Sequence, residues 1–322
     1  MFKTFRCALA TAGAVLALAC ATAHAAYPDK PIRIVVPQPA GGFNDLVARL
    51  LSRKLGDAWG QPVVVENIPG AGSQLGTTAA ARAPADGYTL LIASFAYGTN
   101  PSLRKNMPYD TARDFRPVIQ LGRTPNILVV AANSPHKSLQ DVIAYAKAHP
   151  GKLSYASSGA GSSPHLSMEM LKDMAGIDLV HVPYKGAAPM STDLMGGQVD
   201  IMFENTPNQM PFVTSGKMRA LAVTSPAPTP FAPGVPTVAS AVPNYQMQAW
   251  FGVVVRSGVP DAVVAQLNAE IQKILAMPDV RQTFAQASVE PVGGSAAQFG
   301  AFLQEETAKW AQVIKAANIS LD

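Results

Sequence analysis

Two short stretches of small residues have the composition of an anion-binding loop. The first, residues 38–45, follows an apolar run of strand length and precedes an amphipathic helix. It contains Ala40, Gly41, Gly42, Phe43 and Asn44. Paired glycines leave backbone N–H groups uncovered, and at a helix N-terminus those groups and the macrodipole favour a negative ligand. Asp45 offers an alternative, because its carboxylate can cap the same amides in a plain turn.

The second stretch, residues 157–165, repeats this arrangement between another strand and another helix. It contains Ser158, Gly159, Gly161, Ser162 and His165. Hydroxyls, glycine amides and an imidazole suit an anion. Alternatively, Ser162 or Ser163 with His165 as base would suit a serine hydrolase. The G-x-S-x-G turn is absent and no carboxylate is placed to orient the imidazole, so binding is preferred to catalysis.

Other sequence patterns that could indicate a cofactor, metal or nucleic-acid site are incomplete. Residues 70–76 have the spacing G-x-G-x-x-x-G and follow the second predicted strand, which does not support a dinucleotide site. The five histidines show no metal-ligand spacing, so neither a metal nor a cofactor is predicted. The net charge of +4 is too small and too scattered to suggest a nucleic-acid partner.

Strand-length apolar runs alternate with amphipathic helices along the chain. The first strands and helices fall at residues 32–36, 45–55, 62–66, 73–82 and 88–93. This βαβαβ order predicts parallel strands joined by helical crossovers. A similar order restarts at residues 126–131, and the chain ends in two helices. The 322 residues therefore predict two α/β units, between which a cleft for a small ligand is expected.

Residues 1–25 have the three parts of a secretory signal peptide: a basic start, a short apolar run and an Ala-x-Ala site. We expect cleavage after Ala25 and a periplasmic product without cysteine, because Cys7 and Cys20 leave with the signal. A lipoprotein anchored through Cys20 is the less favoured alternative, since Ala17 stands where such signals usually have leucine.

Motifs spread over the chain after the signal resemble one family. They include A-G-G at 40–42, P-G-A-G at 69–72, P-A-D-G-Y-T-L-L at 84–91, H-V-P-Y-K-G at 181–186, G-G-Q-V-D at 196–200 and R-A-L-A-V-T at 219–224. In this order they look like the extracytoplasmic solute receptor of tripartite tricarboxylate transporters, the Bug receptor family.

The resemblance implies an α/β fold of periplasmic-binding-protein type II, a Venus flytrap with two lobes and a hinged cleft. It places residues 26–126 and 252–322 in the first lobe and 127–251 in the second. It also implies a monomeric, non-enzymatic receptor that delivers a carboxylate-bearing anion to membrane permease subunits. That anion would be a di- or tricarboxylate, an amino-dicarboxylate or an aromatic acid. A periplasmic sensor that signals to a membrane partner is the second hypothesis.

The resemblance also implies which residues bind the ligand. Ala40, Gly41, Gly42 and Asn44 would hold a carboxylate against Ser158, Gly159, Gly161 and Ser162, through N–H groups and ordered waters. Departures from the family pattern indicate an unusual wall of Gln38, Phe43, Phe95, Tyr97 and Phe203. The remaining expected contacts are Ser94, His165, Tyr184 and Glu204. A side chain at Gly41 is expected to block binding.

Overall fold

The structure, a computed structural model, describes residues 27–321. The predicted signal peptide, its cleavage site and both cysteines therefore lie outside the described residues. None of the helices within residues 27–321 combines the length and the hydrophobicity that a membrane span requires.

Ten strands and eleven α-helices form within residues 27–321. The strands are β1 Ile32–Val36, β2 Val63–Asn67, β3 Thr89–Ser94, β4 Phe115–Ala131, β5 Ser154–Ser157, β6 Val180–Pro183, β7 Ile201–Asn205, β8 Met218–Val223, β9 Gln248–Arg256 and β10 Glu290–Gly293. The helices are α1 Phe43–Trp59, α2 Gln74–Ala81, α3 Phe95–Leu103, α4 Thr111–Asp114, α5 Leu139–Ala148, α6 Ser163–Ala175, α7 Ala187–Met195, α8 Thr206–Thr214, α9 Asp261–Ala276, α10 Pro278–Gln286 and α11 Ala296–Ala316.

The strands form two sheets that share β4. In the first sheet the order is β2-β1-β3-β9-β4, with β10 also paired to β4. Strands β1, β2 and β3 are parallel, whereas β9 and β10 are antiparallel to their neighbours. In the second sheet β6, β5 and β7 are parallel, and β7 and β8 pair antiparallel with β4. We call the two halves built on these sheets the first lobe and the second lobe.

The long strand β4 changes partners along its length. Its residues up to Pro125 pair with β9 in the first sheet, and its residues from Asn126 onward pair with β7 and β8 in the second. Apolar side chains fill both sheet faces, since Ile127, Leu128 and Val129 are fully buried. A continuous backbone thus connects the two lobes and fixes where the cleft between them must open.

The last helix, α11, packs against both lobes. Trp310 and Ile314 of α11 belong to one buried cluster with Phe95 of α3 and Leu166 of α6. After α11, the amide of Leu321 donates to the carbonyl of Leu103 at 2.9 Å. This packing gives the lobes a second connection, made of side chains rather than of sheet. The predicted α/β fold with two lobes is confirmed.

Candidate ligand-binding cleft

A cleft of about 610 Å³ lies between the lobes, and both lobes contribute residues to it. The first lobe supplies residues from the loop before α1 and from the start of α3. The second supplies the loop before α6 and the start of α8. The lining residues are Gln38, Pro39, Ala40, Gly42, Phe43, Asn44, Ser94, Phe95, Ala96, Thr124, Ser158, Gly161, Ser162, Ser163, Pro164, Asn205, Pro207, Asn208, Ala249, Trp250, Phe251 and Val289.

Four helices begin at this cleft, two from each lobe. Helices α1, α3 and α8 start after Gly42, Ser94 and Asn205, and none of these three residues caps its helix through a side-chain hydrogen bond. Within residues 27–321, no acceptor takes the amides of Phe43 or Asn44 in the first turn of α1. Uncapped N-termini carry a partial positive charge and free donors, so their convergence favours a negative ligand.

The cleft presents this positive potential without ionised side chains. Among the described residues that line it there is no Asp, Glu, Lys, Arg or His. Asp45 lies just outside, and its Oδ2 accepts from the Arg49 Nε and the Gly41 amide, both at 2.9 Å. The Arg49 hydrogen bond lowers the pKa of Asp45 below its usual value. Asp45 is thus held by Arg49 and by its own loop, although its Oδ1 is buried without a hydrogen-bond partner within residues 27–321. The cleft lining itself offers an anion only backbone groups and neutral side chains.

Gly41, which was predicted to contact the ligand, bonds within its own loop in this structure. Gly41 does not line the cleft, and its amide donates to Asp45. Its φ of +84° is disfavoured for residues with a side chain, so a valine there would distort the loop itself. Gly42, with an ordinary φ of −81°, is the glycine that borders the cleft.

His165 also differs from its expected role. Its side chain lies in the second lobe behind the cleft, where Nδ1 accepts the Gly161 amide at 3.0 Å and the ring stacks on His181 at 4.1 Å. Burial lowers the pKa of His165 to about 3, so the imidazole is neutral at physiological pH. It shapes the loop before α6 and does not line the cleft.

Three further predicted contacts lie away from the cleft lining. The Gly159 amide donates to the Ser157 hydroxyl at 3.2 Å, which keeps it within its own loop. Tyr184 donates its hydroxyl to Asp193 at 2.7 Å, and burial raises the pKa of Tyr184 to about 12. Glu204 is only 2% exposed and sits beneath Asn205, which does line the cleft.

Aromatic residues form one wall of the cleft, but only part of the predicted set. Phe43 and Phe95 line it, as does Gln38, whose amide Nε2 donates to the hydroxyls of Ser73 and Ser94. Tyr97 instead donates to the Thr111 carbonyl, and Phe203 is fully buried against Tyr245.

Trp250 and Phe251 complete the aromatic wall from β9 and were not predicted. They lie far along the chain from the two glycine-rich loops, so no local pattern connects them with the cleft. Asn205 and Asn208 were missed as well, although they flank the predicted Glu204.

Sequence comparison assigns the chain to a family. Residues 47–319 match the family model described as the tripartite tricarboxylate transporter family receptor. The chain belongs to this receptor family. The family consists of periplasmic solute-binding receptors, which are not enzymes.

Similar receptors extend over the same length. The Bug protein BugT of Bordetella pertussis is 36% identical over 316 residues, which are 97% of this chain and 96% of BugT. An R. palustris structure solved with adipate is 37% identical with a TM-score of 0.80, covering 91% of this receptor and 99% of that chain. MatC from Rhodopseudomonas palustris, solved with bound malate, is 32% identical with a TM-score of 0.76, covering 89% of this receptor and 100% of MatC.

Proposed function

We propose that this receptor captures a carboxylate-bearing organic anion in the periplasm and delivers it to the membrane permease of a tripartite tricarboxylate transporter. One observation carries the proposal: helices from both lobes direct their N-termini into a cleft whose lining, within residues 27–321, has no ionised side chain. An anion placed there neutralises partial charges from both lobes at once, so its binding favours the closed state.

The relatives support an acid as ligand without naming which one. Adipate and malate occupy two of the similar structures, and both are dicarboxylates. The wall of Phe43, Phe95, Trp250 and Phe251 adds apolar area that a short hydroxy acid would not fill. We therefore keep di- and tricarboxylates, amino-dicarboxylates and aromatic acids as candidate ligands.

The receptor is proposed to act without catalysis. Ser162 caps α6, and its hydroxyl accepts from the backbone amide of His165. The imidazole Nδ1 accepts from Gly161 instead of facing that hydroxyl. In a serine hydrolase the imidazole must instead accept the proton of the serine hydroxyl.

The lobe boundaries, partner and maturation are part of the same proposal. The change of pairing in β4 after Pro125 and the start of β9 at Gln248 support crossings near residues 126 and 251. We propose a monomer that is exported by cleavage after Ala25 and meets its permease transiently. In this proposal the ligand-bound receptor delivers its ligand for transport and does not act as a sensor. Genes for two membrane subunits next to the receptor gene would favour transport over sensing.

A thermal-shift panel tests the proposed ligand class. We expect at least one of succinate, adipate, malate, citrate, benzoate and phthalate to raise the melting temperature, because a ligand selective for the native state stabilises it. At a concentration of about 100 times Kd the stabilisation is about 2.7 kcal/mol. The neutral controls adipamide and benzamide should leave the melting temperature unchanged. Shifts with the amides and none with the acids would contradict the proposal.

A further inference from the structure

One buried carboxyl group lies directly beneath the cleft. Glu204 is the fourth residue of β7, and the next residue, Asn205, precedes the first turn of α8. Only 2% of Glu204 is exposed, and its Oε2 is buried with no hydrogen-bond partner in residues 27–321. An ionised carboxylate with one oxygen unpaired in such a place would be strongly unfavourable.

The other oxygen of Glu204 is bonded to the cleft wall. Oε1 accepts from the Asn205 amide at 2.8 Å and from the Asn208 Nδ2 at 3.3 Å. Both Asn205 and Asn208 line the cleft, and both lie at the N-terminal end of α8. The charge state of Glu204 therefore acts on the same helix end that faces the ligand.

Within residues 27–321, no cationic side chain forms a salt bridge or a hydrogen bond with Glu204. Helix α8, which follows it, carries no ionisable side chain. The ionisable side chains on the other elements packed against β7 are Arg116 and Arg123 of β4, Tyr155 of β5, His165, Glu169, Lys172 and Asp173 of α6, and Asp193 of α7. In the described chain none of them bonds to Glu204. Arg116 and Arg123 pair with Asp261 and Glu290 instead.

We propose that Glu204 is a positioning residue that couples capture of the anion to proton uptake. The cleft binds a carboxylate while Glu204 carries its proton, and loss of that proton weakens binding. The proton comes from solvent and stays on the Glu204 carboxyl group, and no bond of the ligand changes. This inference rests on the proposed function, because it requires that the ligand be an anion.

The direction of the pH effect follows from burial. Burial raises the pKa of Glu204 to about 7. A bound anion nearby opposes ionisation further, so the pKa in the complex is higher still. Affinity should therefore be full below about pH 7 and fall by up to roughly tenfold per pH unit above it.

Calorimetry tests this coupling with the panel acid that gives the largest thermal shift. We expect the Kd of the wild-type receptor, expressed for the fully ionised form of the acid, to rise about ten- to thirtyfold between about pH 6 and about pH 8.5. Glu204→Gln, which mimics the neutral acid, should bind as the wild type does at pH 6 and keep that Kd at pH 8.5. Glu270→Gln on α9, which removes an equal charge far from β7, should retain the wild-type slope. A flat wild-type profile, or an unchanged slope in Glu204→Gln, would overturn the inference.

Proton uptake gives an independent measurement on the unmodified chain. At about pH 8 the binding enthalpy should differ between phosphate and Tris buffers, because binding takes a proton from the buffer. An enthalpy independent of the buffer would overturn the inference even if Glu204→Gln failed to fold. If no panel acid binds at pH 6, the proposed function itself is wrong, and the coupling is excluded with it.

Discussion

Replacement of Gly42 by aspartate is expected to weaken anion binding about a hundredfold while the fold is retained. Gly42 precedes the first turn of α1 with φ −81° and ψ 172°, the backbone conformation of an N-cap residue. An added Cβ would contact only the Pro39 carbonyl oxygen, at an ordinary 3.7 Å. The new carboxylate would accept from the free amides of α1 and replace the ligand there. At about 5 Å and an effective dielectric of about 20, repulsion between two carboxylates is about 3 kcal/mol, a loss of about a hundredfold in affinity.

Gly42→Asn is the matched control for this substitution. Asparagine caps helices about as well as aspartate and has nearly the same shape, so both variants should change stability by only a few tenths of a kcal/mol. Titration of each variant with the acid found in the thermal-shift panel separates the effect of charge from that of size. Equal affinities for Gly42→Asp and Gly42→Asn would show that the start of α1 does not bind the anion.

Replacement of Trp310 by alanine is expected to be the most destabilising single change in α11. Trp310 is fully buried, its ring packs edge-on against Phe95 at 5.0 Å, and its Nε1 donates to Glu306 at 2.9 Å. Truncation of a buried tryptophan leaves a cavity and costs about 3 to 5 kcal/mol. The melting temperature should fall by roughly 5 to 10 °C. Because Phe95 lines the cleft, affinity for the acid should fall as well.

Trp59→Ala provides the comparison with the same change of side chain. Trp59 is half-buried at the end of α1, where its ring contacts Tyr27 at 6.0 Å. We expect less than half of the destabilisation found for Trp310→Ala, and no change in affinity. Similar losses of stability in both variants would contradict the expectation that the contacts of Trp310 with both lobes stabilise the fold more than those of Trp59.

The sequence was most informative where function depends on the backbone. The glycine-rich loops before α1 and α6 could be located because strand, loop and helix follow each other locally, and both loops border the cleft. The exact donors could not be predicted. Whether Gly41 or Gly42 meets the ligand depends on the bond from Gly41 to Asp45, which is a property of the folded turn.

Elements that depend on distant packing were missed. Helix α3 contains Gly98 and Pro101, which disfavour a helix in isolation, yet buried contacts such as that of Phe95 with Trp310 hold it in place. Trp250 joins the cleft because β9 pairs with β3 and β4, strands far from it along the chain. Neither helix α3 nor the position of Trp250 in the cleft can be predicted from the periodicity of the local sequence.

The neutral lining of the cleft has a consequence for how such receptors diverge. Peptide N–H groups exist at every position except proline, so the part of the site that recognises charge survives most substitutions of its neighbours. Residues such as Phe43, Phe95 and Trp250 can then change size or polarity without leaving a buried countercharge unpaired. A receptor with this cleft can therefore change which acid it binds through a few substitutions between uncharged residues. Its ligand specificity can thus evolve readily.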